Sequence, residues 1–336
     1  MTATGAGEPA ARSPSWRVLG AADLPALAAL AARCLAADGG QPFAAEPAFV
    51  GRSYLSAGRA VGYFVGTSLA CASVLRPAAT VTRPVAPAGA VVVTADGTDS
   101  PAGATTEANA GQQADARVAT TTGMVDPQWR RRGIGGRALD WALALAGDAP
   151  ARAETEALCD GAHALYLTRG FVQTLAEDVM QLPAGREAPP VRRPNGLALA
   201  DWTQADASRF FAVYESAFSE RPGFPSFTRA EWIDWISQDP DFRPDWTLLA
   251  VLDGADAGFI AGELSGWIAQ VGVVPRARGA AVVASLIVEV VERMRAAGES
   301  SVTLNVNVNN PRAAALYRRL GFDRIGRRAR YRREHP

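Results

Sequence analysis

Lysine is absent from all 336 residues, so every one of the 34 basic side chains is arginine. Without an amine the chain cannot form a Schiff base, hold pyridoxal phosphate, or supply the lysine of a P-loop or a protein kinase. Histidine occurs twice, at His163 and at His335 beside the last residue, which argues against a Ser-His-Asp hydrolase. The three cysteines, Cys34, Cys71 and Cys159, lie far apart with no C-x-x-C pair. Neither a disulfide framework nor a zinc site is signalled, so reduced, mostly buried thiols and no metal are expected. Charge of one sign is also missing, because 34 acidic residues balance the 34 basic ones. That balance speaks against a nucleic-acid partner. No apolar run is long enough to span a bilayer, and the first fifteen residues hold none that would serve as a signal peptide. A soluble, cytoplasmic protein without a membrane partner is expected.

What is present is a chain 48% hydrophobic, long enough for about two domains. An internal repeat organises it. The strand-like TTTGMVDP, ending at Pro127, precedes QWRRRGIGGRALDWALALA, whose apolar spacing suits a helix. WIAQVGVVP, ending at Pro275, precedes RARGAAVVASLIVEVVERM in the same order, and Pro127/Pro275 and Arg130/Arg278 are each 148 positions apart. Farther on, AHALYLTRGF at 162–171 matches AAALYRRLGF at 313–322. The chain therefore reads as a tandem duplication: residues 1–183, a proline-rich linker at 184–195, and residues 196–336. The first copy carries extra residues rich in Pro, Ala, Gly and Thr, placed at 77–115, which suggest a flexible surface insertion or a substrate lid. Each copy reads as strand, one or two helices, three strands, helix, strand, helix and a final hairpin, an α/β (α+β mixed sheet) domain.

R-x-x-G-x-G at 130–135 has a definite chemistry. A helix that starts straight after a strand offers unpaired N–H groups and the positive end of its dipole. A phosphate can use them, glycines let it approach the backbone, and arginines add charge. Alone, the motif also fits an ordinary glycine-rich helix start with solvated arginines. In combination, V-x-P-x-x-R-R-x-G-I-G and the downstream A-x-x-L-Y-x-x-x-G-F resemble the GNAT acetyltransferase superfamily, in both copies and over most of the chain.

The resemblance implies two GNAT-like acyl-CoA acyltransferase domains, with acetyl-CoA or another acyl-CoA bound at the glycine loop. It implies a first cofactor site of Gly123, Met124, Val125, Arg130, Arg131, Arg132, Gly133, Ile134, Gly135 and Gly136. The second would be Val271, Gly272, Val273, Arg278, Gly279, Ala280, Ala281, Val282 and Val283, with Asn310 fitting the family's N-x-x-A-x-x-L-Y pattern. In this second loop Ala281 and Val283 replace expected small or glycine positions, and crowding of a pyrophosphate is anticipated. The first copy has Cys159 in place of the asparagine. Tyr166 and Tyr317 are implied as general acids towards a CoA thiolate, the alternative being plain packing against a neighbouring helix. Val125 or Val273 is implied as the oxyanion donor through its N–H.

For a base, strand alternation puts Glu154 and Glu156 on one face, whereas the corresponding Asn305 and Asn307 cannot take a proton; Glu263 is the nearest carboxylate in the second copy. Surface carboxylates paired with arginine are the alternative for each. The expected activity is N-acetyl transfer to a small-molecule amine by direct attack on the thioester, in a monomer or homodimer. Its alternative is that one domain or both only bind acyl-CoA. The all-arginine, alanine-rich composition is similar to that of actinomycete proteins of antibiotic biosynthesis or self-protection. An acceptor pocket is expected near 36–60 and 215–240, where Phe218, Phe224, Phe227, Trp232 and Trp235 line a pocket or fill a core.

Overall fold

The computed structural model describes residues 14–56, 58–77, 118–220 and 227–334. The expected insertion at 77–115 lies outside them but for Pro77, as do Phe224 and His335. Among the described residues no helix is long and apolar enough to cross a membrane.

Both copies follow one order. The first runs β1 (Ser15–Val18), α1 (Leu24–Asp38), α2 (Pro47–Leu55), β2 (Arg59–Val65), β3 (Ser68–Arg76), β4 (Ala119–Val125), α3 (Ile134–Ala146), β5 (Ala151–Thr155), α4 (Asp160–Thr168) and β6 (Val172–Leu182). The second runs β7 (Leu197–Asp201), α5 (Ala207–Phe218), α6 (Arg229–Ser237), β8 (Phe242–Leu252), β9 (Ala255–Glu263), β10 (Trp267–Val273), α7 (Val282–Ala296), β11 (Val302–Asn307), α8 (Pro311–Arg319) and β12 (Asp323–Arg333). Each copy ends in one long strand of 11 residues, where a hairpin was expected.

Those final strands divide the molecule differently from the boundaries at 183 and 196. The chain forms two compact units: Leu175–Arg328 makes the second, and the first holds the other described residues, including those from Ala329 onward. The first sheet is ordered β1-β2-β3-β4-β5, and Ala329–Arg333 of β12 pairs antiparallel with β5. In the second, β7-β8-β9-β10-β11 is followed by β6, with Val302 opposite Leu182. Each compact unit is thus finished by the last strand of the other copy's sequence.

The cores differ too. In the second unit one continuous cluster joins the sheet to α5, α6, α7 and α8. In the first, the buried apolar residues fall into four smaller clusters. Residues of three of these clusters line one cavity.

Candidate acyl-transfer cleft

In the first unit β4 and β5 are parallel and paired only from Ala119/Ala151 to Thr121/Ala153. Beyond that point they part. The register of β4 against β3 fixes what β4 offers to the gap. Asp126 N donates to Ala70 O at 2.9 Å, and Cys71 lies opposite Val125. Hydrogen-bonded and non-bonded pairs alternate in an antiparallel ladder, so Gly123 and Val125 turn their peptide groups away from β3. Ala119 N, two pairs back on the same side, donates to Pro150 O at 2.9 Å. The N–H groups of Gly123 and Val125 therefore face the gap beyond the last β5 partner.

A cavity of about 580 Å³ fills this opening. Gly123, Met124, Val125, Arg130, Arg131, Gly133, Ile134, Gly135 and Gly136 line it, as do Glu154, Glu156, Cys159 and Tyr166. Asp38, Ala44, Phe49, Ser53 and Tyr54, from the early segment expected to receive the acceptor, complete another wall. Arg132 is held elsewhere, its guanidinium 4.5 Å from the centroid of the Trp129 ring.

At the glycine loop Arg131 and Gly133 have φ of 61° and 73°, and the second loop has the same pair at Gly279 and Ala281, 81° and 58°. Both loops thus keep left-handed backbone at equivalent positions with the glycine exchanged between them. A side chain there strains the backbone by roughly 1–2 kcal/mol. A Cβ at Gly133 would meet no atom within 4 Å, so a methyl at that place in the first loop meets open space. Gly135 is the tight position: a Cβ there would meet Val125 Cγ2 at 3.3 Å and Leu165 Cδ2 at 3.5 Å. The second copy has Val283 at that place, and Val283 is buried.

Other expectations need correction. Arg130 does not present a free guanidinium to a phosphate. Its two terminal nitrogens fork onto Asp38, at 2.6 and 2.7 Å, and its Nε donates to Val125 O at 3.1 Å. It fastens the end of α1 to the end of β4 and so shapes the cleft. Glu156 lines the cavity but is ion-paired with Arg330 of β12, while Glu154 is paired with Arg76 at 2.9 Å.

At the second expected cofactor site most side chains belong to the core. Val271, Val273, Val282 and Val283 are core residues, and Ala280 packs against them. A Cβ at Gly272 would strike Phe218 at 2.9 Å. Arg278 pairs with Glu220 at 3.0 Å, and Asn310 serves as the N-cap of α8, accepting from Ala313 N at 3.0 Å. Tyr317 is wholly buried, and its hydroxyl has no partner among the described residues. Glu263 is opposite Trp267, at the far end of β10 from Val273. Six residues of strand put about 20 Å between those ends. Burial first, and then Asp239 and Asp241, push the Glu263 carboxyl up to about 8, so near neutrality it holds a proton. Of the expected pocket aromatics, Phe218 and Trp232 are core, and Phe227 stacks on Trp235.

Tyr166 is buried and reaches the cavity. Burial chiefly, with Tyr331 next, holds its phenol well above the usual range. Cys34 and Cys71 line the same cleft, and burial pushes them up to about 11 and about 12. All three cysteines thus face one cavity. No sequence signal marked this, since they come from α1, β3 and the start of α4. Arg130–Asp38 and Arg76–Glu154 were equally hidden, with partners 92 and 78 positions apart.

A family model described as the acetyltransferase (GNAT) family matches residues 199–322. A mycothiol acetyltransferase of Clavibacter michiganensis subsp. michiganensis is 32% identical over 257 residues, covering 73% of this chain and 81% of the relative. One of Clavibacter sepedonicus is 31% identical over 255 residues, with the same shares. Among solved structures, a GCN5-related N-acetyltransferase from Sphaerobacter thermophilus aligns over 96% of both chains, with a TM-score of 0.67 and 22% identity. A tandem GNAT protein from the clavulanic acid biosynthesis pathway aligns over 96% of this chain and 98% of its own, with a TM-score of 0.55 and 18% identity. At these identities the two structures speak for the fold.

Proposed function

Because the chain belongs to the GNAT acetyltransferase family, we propose that its first unit binds acetyl-CoA and transfers the acetyl group to the amine of a small molecule. The observation that carries this is the open wedge between β4 and β5, with the N–H groups of Gly123 and Val125 turned into it. The curated relatives are named for mycothiol, which supports a small-molecule acceptor and makes unacetylated mycothiol the first one to assay.

The residues fit an acyl-CoA. Gly135 keeps the wedge clear where a side chain would meet Val125 and Leu165, and the start of α3 offers backbone donors to a pyrophosphate. When bound, the cofactor supplies a thioester carbon open to attack. Val125 N–H is placed to donate to the oxygen that gains charge, the kind of fixed dipole that stabilises an oxyanion. Tyr166 holds its proton throughout the working range and is the donor to the departing sulfur. A phenol with so high a pKa is a weak acid in water. Burial likewise lifts the Cys34 and Cys71 thiols to about 11 and about 12, so the cleft favours protonation of a departing sulfur.

The second unit, which has the buried Val283 at the place of Gly135, is read as a non-catalytic partner. Native mass spectrometry should then show one CoA per chain, and two would remove this assignment. A screen of amines followed by thiol release should find kcat for Tyr166→Phe lowered about 10²–10⁴-fold. Tyr317→Phe should retain turnover. Full rate in Tyr166→Phe at high and low pH would end the general-acid role.

A further inference from the structure

One wall of the cleft carries charge that the scheme above leaves without a partner molecule. Arg76, at the end of β3, donates from one terminal nitrogen to Glu154 at 2.9 Å and from the other to Ser53 O at 3.3 Å. Behind them Arg330 bonds Glu156 and stands 4.0 Å from Glu154. The pairs differ in access. Side chains of Arg76 and Glu154 are 25% and 23% exposed, against 15% and 16% for Arg330 and Glu156. Arg76, Glu154 and Glu156 line the cavity, with Phe49, Tyr54 and Met124 around them.

A partly open ion pair gains little from its own attraction, and water competes for both members. A solute carrying both charges can take the two partners over with no change in the net charge of the cleft. Resting on the acetyltransferase reading, we propose that the acceptor is an α-amino acid with an apolar side chain. Its carboxylate meets Arg76, its ammonium meets Glu154, and its side chain lies against Phe49 and Tyr54. The planar guanidinium fork matches a carboxylate in a way that a point charge does not. Arg330 keeps Glu156 occupied, which leaves Glu154 as the carboxylate that exchanges.

The proton balance follows. Glu154 takes one proton from the ammonium, and the neutral amine attacks the thioester carbon. A C–N bond forms, the C–S bond breaks, and the sulfur leaves with the Tyr166 proton. Tyr166 regains a proton from the new amide nitrogen, and Glu154 releases its own to solvent.

The test uses three probes of similar shape: phenylalanine, its carboxamide and phenethylamine. Each is titrated calorimetrically into the full-length protein, with and without CoA, and turnover is read separately as thiol release from acetyl-CoA. Phenylalanine should bind about 10–100-fold more tightly than the other two, the effect of one charge-assisted contact. Arg76→Met should erase that preference without changing CoA binding, and Arg76→Lys should restore part of it. Equal affinity for the three probes, no binding by any, or a preference that survives in Arg76→Met would overturn the proposal. Turnover of only the carboxamide or phenethylamine would sink the amino-acid acceptor and keep the transferase. Tight phenylalanine binding without thiol release would do the reverse.

Discussion

Burial acts on single ionisable residues here in two opposite ways. At Tyr166 it keeps a phenol protonated beside a cavity. At Glu263 it keeps a carboxyl protonated at the far end of β10 from Val273 and makes it unfit as a resting base. The second case has a thermodynamic consequence. The folded-state pKa of Glu263, about 8, lies above its ordinary 4.5. Its favourable contribution is therefore fully present below the lower value and is lost as pH rises through the upper one. Glu263→Gln, which mimics the protonated form, should match the parent in thermal stability at about pH 4 and exceed it at about pH 9. Melting curves at the two pH values check this, and a parent advantage at the higher value would refute it. His163 has a structural partner, its Nδ1 being 2.7 Å from the Tyr331 hydroxyl.

The two glycine loops show which positions in an element matter. Their left-handed residues are conserved in place but not in identity, Arg131 and Gly133 against Gly279 and Ala281. Backbone shape survives a Gly-to-Ala exchange where the added methyl meets open space. It is at the second residue of the helix, at Gly135 and Val283, that the copies diverge, because a side chain at Gly135 would meet the facing strand and the next helix. Gly135→Val should leave the melting temperature of the protein within a few degrees, for a change of about 1 kcal/mol. It should abolish acetyl-CoA binding in native mass spectra. Undiminished binding would show that the wedge is not the cofactor site. The family model matches the second copy, although the open wedge is in the first.

At the scale of the molecule, the chain's last strand belongs to the first unit. Tyr331 lies 4.7 Å from the Tyr166 ring, and Arg330 bonds Glu156. A chain ending at Arg328 should therefore lose acetyl-CoA binding and the calorimetric transition of the first unit, while the transition of the second remains. Retained binding would contradict the assignment of this strand. The sequence by itself determined the duplication, the α/β order of elements and the left-handed turn at Gly133, because periodicity, glycine and proline act locally. Tertiary structure alone decided the rest. It committed Arg130 to Asp38, gave Glu156 to Arg330, and carried Glu263 to the far end of its strand. Ion pairs between residues 78 to 174 positions apart are set by which strands meet across the fold. No local pattern records that.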